Sequence, residues 1–351
     1  MKQSVIIWGV IGAAAFAAAA AFQSFAQQDE GGVTADASAE AAPAEEAAPA
    51  PEAAAPPAAP VKPRDAEIMG LTSKSLLLDI YQAESQLVAV GDRGGIVLSS
   101  NGKDWVQAPV PVRAALTAVH FADAQNGWAV GHDASIVATT DGGKTWTLQM
   151  FKPELEKPFL DVLFLDAQRG LAIGAYGLFF VTADGGKTWT EADAPTLREE
   201  ELHFNAITRL ANGDLLIAGE SGMLGLSSDE GKTWKRMTSP YDSSLFGALP
   251  VGEKGALIFG LRGNAYLIAD ARAGKWTKVE TNSVASMFGG AALPNGELAM
   301  VGLNGVILVA DAAGKVRTLQ TPTGTPLSSA IAHEGGLLAV GESGVQSVKL
   351  N

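Results

Sequence analysis

The amino-acid sequence predicts an all-β protein built as a seven-bladed β-propeller. Three observations carry this reading. A short apolar run ending in glycine recurs seven times, at Gly91, Gly131, Gly174, Gly219, Gly260, Gly302 and Gly341, in steps of 39 to 45 residues. Each run is followed by a polar turn and a second β-forming run, as in LVAVGDRGGIVLSSNGKDW at 87–105. Most copies then add a Gly-rich turn and a Trp. A period near 40 made of short strands is the signature of a four-stranded blade, since one such sheet cannot bury both faces alone.

The elements follow in chain order. Lys2 precedes an apolar run from Val5 to Phe22, and Ser24-Phe25-Ala26 supplies small residues at the two positions a signal peptidase reads. Residues 1–26 are therefore expected to be a signal peptide that sends the chain to the periplasm, with a membrane tether if it is uncleaved. Residues 27–63 are Ala, Pro and Glu with no basic residue before Lys62. Few large apolar groups are available there to offset chain entropy, so a disordered linker is expected. Residues 64–351 are expected to form the propeller. In its second unit the strands are placed at Leu116–Phe121, Gly127–Gly131, Ser135–Thr140 and Thr145–Met150. The seventh unit stops one strand short. Ala66–Thr72 is expected to supply that strand and close the ring, which leaves every blade edge paired and the chain monomeric.

Composition narrows the chemistry. The chain of 351 residues has no Cys and a formal charge of −13. Disulfides, thiolate metal sites and a catalytic thiol are excluded. With no basic run, nucleic acid is not an expected partner, because phosphate contacts need clustered Lys and Arg. His120, His132, His203 and His333 come from different units without metal-ligand spacing. Neither a metal nor a cofactor is expected.

Three units carry the Asp-box, or bacterial neuraminidase repeat. The copies are Thr139-x-Asp141-x-Gly143-x-Thr145-Trp146, Thr182-x-Asp184-x-Gly186-x-Thr188-Trp189 and Ser227-x-Asp229-x-Gly231-x-Thr233-Trp234. Degenerate copies keep Ser99, Asn101 and Trp105, Asp270 and Trp276, and Asp311. Each residue has a structural job. The Asp accepts N–H bonds from its own turn, the Gly supplies a positive φ, and the Trp packs between blades. Calcium at these aspartates is disfavoured, because it needs six or more oxygens and the turn offers one carboxylate.

The Asp-box is known from sialidases, so an exported glycan-active or glycan-binding propeller is the alternative. Glycoside hydrolysis needs two opposed carboxylates. Asp161 and Glu199, Glu200 and Glu201 are available, but their spacing pairs none of them. No catalytic residue is assigned, and the chain is read as non-enzymatic.

Recognition is expected on the face that collects the turns between strands two and three. These place Arg93, Asp133, Tyr176, Ser221, Arg262, Asn304 and Ser343 one per blade. Longer interblade loops at 151–159, 193–204 and 238–245 add Lys152, Lys157, Arg198, His203 and Tyr241. The inner strands begin with pairs such as Leu116-Thr117, Leu160-Asp161 and Phe204-Asn205. Asp161 and Asn205 are candidate binding groups at the channel, weighed against hydrogen bonding to backbone there.

The repeated GxxGxΦxxTxDGGKTW line, seven units after a secretion signal, resembles the photosystem II assembly and stability factor family over residues 65–351. The resemblance implies a seven-bladed propeller that assists a membrane-protein complex through an arginine-rich patch. The matching positions here are Arg93, Arg113 and Arg262, and they form no dense cluster in the sequence. The acidic spacer is foreign to photosynthetic members. It points instead to their non-photosynthetic bacterial relatives, some of which resemble accessory proteins of resistance-nodulation-division exporters. The expected function is a periplasmic scaffold that docks a membrane-protein complex.

Overall fold

The computed structural model describes residues 61–311 and 313–350. The expected signal peptide and nearly all of the expected linker lie outside them. Seven antiparallel sheets follow one another along the chain. Their inner strands are Leu77–Ala83, Leu116–Phe121, Phe159–Phe164, Phe204–Arg209, Leu245–Val251, Met287–Ala292 and Leu327–His333. Each inner strand touches the next, and the seventh touches the first, so the blades form a closed ring. Among the described residues six blades have four strands and the seventh has three. In blade two the strands run Leu116–Phe121, Gly127–Gly131, Ser135–Thr139 and Thr147–Met150, within two residues of the expected bounds.

The recurring strand-end glycine has a steric cause. At all seven positions a Cβ would lie 2.0–2.2 Å from the carbonyl oxygen of a residue just ahead of the inner strand, such as Pro158 at Gly174 and Pro326 at Gly341. The backbone is extended there, and what the fold requires is the absence of a side chain. The close approach coincides with a bulge in every inner strand, which skips Leu78, Thr117, Leu160, Asn205, Phe246, Phe288 and Ser328 in turn. A bulge bends the strand and re-aims side chains. Here it sets a ring of seven residues at one end of the channel.

Second strands are buried almost throughout, as the runs Val88–Val90, Ala129–Val130 and Leu215–Ala218 show. The core is therefore a ring of interblade clusters. One joins blades one and two around Val90, Val119 and Trp146, and another joins blades three and four around Phe179, Phe204 and Trp234. Each such cluster is apolar surface that neither blade can bury alone, the main favourable term in ring assembly.

The expected closing strand does not form. Residues 72–76 cross over blade seven as every interblade connection does. The Ser73 carbonyl lies 2.1 Å from where a Cβ on Gly344 would sit, as the Val112 carbonyl lies 2.0 Å from that of Gly94. Ahead of this crossing the chain turns away from blade seven. Gln107 accepts the N–H of Met69 at 2.8 Å and the Thr72 hydroxyl at 2.6 Å, and donates to the Glu67 carbonyl at 3.0 Å. Ala66 donates to Val110 at 2.9 Å and is buried against blades one and two. These bonds hold the segment on blade one, so the outer edge of blade seven has no strand beside it among the described residues. The argument for a monomer from fully used blade edges therefore fails.

Candidate functional site

The Asp-box turns lie between third and fourth strands, and their geometry is repetitive. Asp229 accepts the Thr233 N–H at 2.9 Å, the Thr233 hydroxyl at 2.6 Å and the Ser227 hydroxyl at 2.8 Å. Ser227 in turn accepts the Gly231 N–H at 2.8 Å. Asp141 and Asp184 repeat the pattern with Thr145 and Thr188. The Thr233 hydroxyl and N–H hold the Asp229 carboxyl down at about 2. Gly143, Gly186 and Gly231 all have positive φ, at 91°, 83° and 85°. Trp146 and Trp234 bond back to the carbonyls of Gly143 and Gly231, whereas Trp189 bonds Gln149 of the preceding blade. The carboxylate oxygens are spent on the turn itself. Even degenerate copies keep the device, with Asn101 accepting N–H bonds from Lys103 and Asp104, and Asp311 from Ala313 and Lys315.

The opposite face carries the turns between strands two and three. Arg93, Asp133, Tyr176, Ser221, Arg262 and Asn304 all occupy the left-handed region, with φ between 50° and 58°. Ser343 is the exception, because the turn of blade seven is tighter and its positive φ falls on Gly344. Arg93 and Arg262 are exposed. Arg93 has its neighbour Asp92 at 3.5 Å, and Arg113 is paired with Glu67 at 2.7 Å. Arg93 and Arg113 flank blade one while Arg262 is on blade five, so these arginines are spread around the ring.

A denser group sits over blades three and four. The Tyr176 ring packs edge-on against His203 at 4.5 Å, and Lys157 donates to the Tyr176 carbonyl at 3.2 Å. His203 Nδ1 lies 2.7 Å from the Glu220 carboxylate. The adjoining loop forms a short helix, Pro195–Arg198, whose Arg198 pairs with Glu191. Glu200 pairs with Arg236 at 2.9 Å on this outer loop. The carboxylates considered for glycoside hydrolysis are thus in different places, since Asp161 lies in the channel.

The channel mouth holds a cavity of about 400 Å³. Its two walls differ. On one side Asp79, Thr117, Asp161 and Asn205 each tie their blade to the next. Asp79 accepts the Val119 N–H at 2.9 Å, and Thr117 donates to the Phe159 carbonyl at 2.8 Å. Asp161 accepts the Ile207 N–H at 2.8 Å, and Asn205 donates to the Leu245 carbonyl at 2.8 Å. The sequence aligned Asp161 with Asn205, but the structure sets them one residue apart. Asn205 is the bulged residue, whereas Asp161 follows the bulge at Leu160. Asp79 is its counterpart in blade one, missed because the first unit was read from residue 87 onward.

On the other side, blades five and six place Gly247 and Gly289 where the aspartates would be. The bulged Phe246 and Phe288 stand with ring centroids 5.4 Å apart. The cavity therefore has a carboxylic wall and an aromatic wall. Burial raises Asp161 to about 7, against N–H bonds from Ile207 and Val162, and the nearby Asp79 carboxylate adds to the rise. Burial likewise raises Asp79 to about 6, opposed by bonds from Val119, the Ser329 hydroxyl and Ile80. Among the described residues no three His, Asp or Glu side chains gather as a metal-ligand set.

The family profile described as Photosynthesis system II assembly factor YCF48 matches residues 97–156 and 148–306, together more than half of the chain. The chain belongs to the YCF48 family. Solved structures agree on the fold. YCF48 bound to D1 peptide superposes with a TM-score of 0.65 at 16% identity, covering 84% of this chain and 99% of the other. YCF48 from Cyanidioschyzon merolae gives 0.62 at 16% identity, covering 78% and 94%. The WD40 propeller domain of Doa1 gives 0.64 at 13% identity, covering 79% and 93%. No curated protein matches the chain in sequence. The Asp-box carboxylates bond only within their own turns, so candidate binding groups are found on the loop face, at the channel mouth and at blade seven.

Proposed function

We propose that this YCF48 family member is a non-enzymatic scaffold of the periplasm. It docks a membrane-protein complex through its loop face and helps that complex assemble or work. The proposed client class is an envelope complex such as a resistance-nodulation-division exporter. The observation that carries this reading is family membership across the propeller. It is joined by the solved family member that holds a D1 peptide. The exposed Arg93 and Arg262, fixed in left-handed turns on a rigid ring, are the proposed contacts. The backbone that carries them is preset, so docking orders only the side chains themselves.

The test is capture of the tagged, exported protein from gently solubilised membranes, with mass spectrometry of what accompanies it. A membrane complex recovered reproducibly, and reduced at least tenfold in the Arg93→Glu/Arg262→Glu variant, supports the reading. A clean, partner-free protein sinks it, and equal recovery by the variant removes the arginines from it.

A second reading is favoured by the cavity at the channel mouth. Its aromatic wall at Phe246 and Phe288 and carboxylic wall at Asp161 suit a small ligand with an apolar body and a cationic or donor head. A thermal shift with an amphiphilic amine, lost in Phe246→Ala/Phe288→Ala, supports it, and no shift across a panel of such amines removes it.

A further inference from the structure

Blade seven presents an open sheet edge at Gly344–Val348, and the other six blades show what fits there. In blade one the Ala108 N–H bonds the Ile96 carbonyl at 2.9 Å, in blade three Ala192 bonds Phe179 at 2.9 Å, and in blade four Met237 bonds Leu224 at 2.9 Å. Those acceptors pair inward with Val90, Ile173 and Ala218. The counterpart in blade seven is Val345, which pairs with Val340. Its backbone groups therefore face outward and, because an antiparallel ladder alternates, so do those of Ser347. Among the described residues no backbone group bonds them from outside. An unpaired edge of this kind is a template for a further strand.

None of the described residues adds a strand to the edge. The segment before residue 72 is held on blade one by Gln107. Residues 51–63 contain five prolines, which lack the N–H a ladder needs. On the far side of the edge strand, Arg317 of blade six binds the Leu350 carbonyl at 3.1 Å and holds Leu350 toward that blade. Exposed apolar surface lies on the blade-one side of the crossing at residues 72–76. Ile68, Leu71 and Val106 are each about two-thirds exposed. The turn Thr72–Lys74 that follows Leu71 touches both the edge strand and the outer strands of blade one.

We propose that blade seven is completed in trans by an extended stretch of a partner polypeptide. This stretch runs antiparallel to Gly344–Val348 and is apolar at alternate positions. The backbone edge makes the occupant a strand, as in the six complete blades, and Ile68, Leu71 and Val106 receive its apolar side chains. This rests on the scaffold reading and gives it a second contact, away from the arginines. Strand addition of this kind draws its affinity from main-chain hydrogen bonds and its specificity from alternate side chains.

The test uses the purified exported protein and a capped synthetic peptide copying Trp146–Phe151, which spans the outer strand of blade two and is apolar at the alternate positions Trp146, Leu148 and Met150. Binding that slows amide exchange at Val345 and Ser347 at least tenfold supports the proposal. So does at least tenfold weaker peptide binding in Ser347→Pro with binding retained in Ser347→Ala. Unchanged exchange in the wild-type protein overturns it without depending on any variant. A concentration-dependent dimer abolished by Ser347→Pro makes the occupant a second copy and overturns the heterologous partner. In the membrane capture, a client recovered equally by wild type and Ser347→Pro overturns the edge and leaves the scaffold standing. No client for the wild type sinks the scaffold reading and this one with it.

Discussion

Asp161 gives the sharpest stability prediction. Its folded-state value of about 7 lies above the ordinary 3.8. Between those limits the folded chain binds more protons than the unfolded chain. Stability from this group is therefore fully present below pH 3.8 and is lost as pH rises through 7. At 1.36 kcal/mol for each pH unit, the loss is about 4 kcal/mol. Asp161 keeps some solvent exposure, so that figure is an upper bound. Asp79, raised to about 6, loses stability in the same direction over a narrower window. His120 opposes both. Burial lowers it from 6.5 to about 4, so its contribution grows as pH rises between those values. The wild-type curve is then a sum of opposed slopes, and a difference curve is needed.

We therefore predict the behaviour of Asp161→Asn against wild type in guanidinium unfolding from pH 4 to pH 8. At pH 4 the wild-type carboxyl is protonated in the folded state and, like the amide, offers one carbonyl oxygen to the Val162 and Ile207 N–H groups, so wild type and variant are close in stability. As pH rises, the wild type loses up to about 4 kcal/mol relative to the variant, so the variant becomes the more stable. A stability gap that stays constant from pH 4 to pH 8 refutes the argument, since the carboxyl would then not change its proton affinity on folding.

Three further outcomes are expected. Asp229→Ala removes the acceptor of three turn bonds and costs about 1 kcal/mol, the scale of a lost cap. That cost shrinks as pH falls from 3.8 to 2, which urea unfolding at pH 7 and pH 2 checks. Gly174→Ala sets a Cβ against the Pro158 carbonyl and costs about 3 kcal/mol or prevents folding, whereas Gly70→Ala, with open space and no positive φ, costs much less; thermal melts compare them. Gln107→Ala frees the segment at 67–72, so limited proteolysis there accelerates while the ring's melting temperature moves only a few degrees.

The blades were legible in the sequence because each repeats the same local demands. The strand-end glycine is forced by a carbonyl 2.0–2.2 Å away, and the Asp-box by a turn that needs one acceptor and one positive φ. Such demands recur and so leave a period. The channel was only half legible. Asp161 and Asn205 stood out as small polar residues, but a bulge shifts register by one, and nothing in the residue types reports that shift. Asp79 and the Phe246–Phe288 pair were invisible as a site because they come from three units and meet only when the ring closes. The closing strand failed for a comparable reason. Ala66–Thr72 has a suitable length and composition, but one side chain, Gln107, captures it from a distance of 38 residues in sequence.

These local differences make the ring unequal around its circumference. Blades one to four are tied to their successors by a side chain at each bulge. At the seam between blades seven and one the described residues bury seven apolar groups, including Leu77, Leu338 and Val340, against fourteen between blades one and two. That seam also lacks the fourth strand that would widen it. Burial scales with area, so this seam holds the smallest share of the ring's apolar stabilisation. Asp79 offsets part of the deficit, because it takes the Ser329 hydroxyl of blade seven as well as the Val119 N–H of blade two. Local opening should therefore start here. Native-state hydrogen exchange should give lower opening free energies for Ala89 and Ala339 than for Ala172 and Ile217, each in the second strand of its blade. Asp79→Ala should widen the difference, whereas Asp161→Ala should act on blades three and four. Uniform protection around the ring, or an Asp79→Ala effect confined to blade two, would contradict a weak seam bridged by that carboxylate.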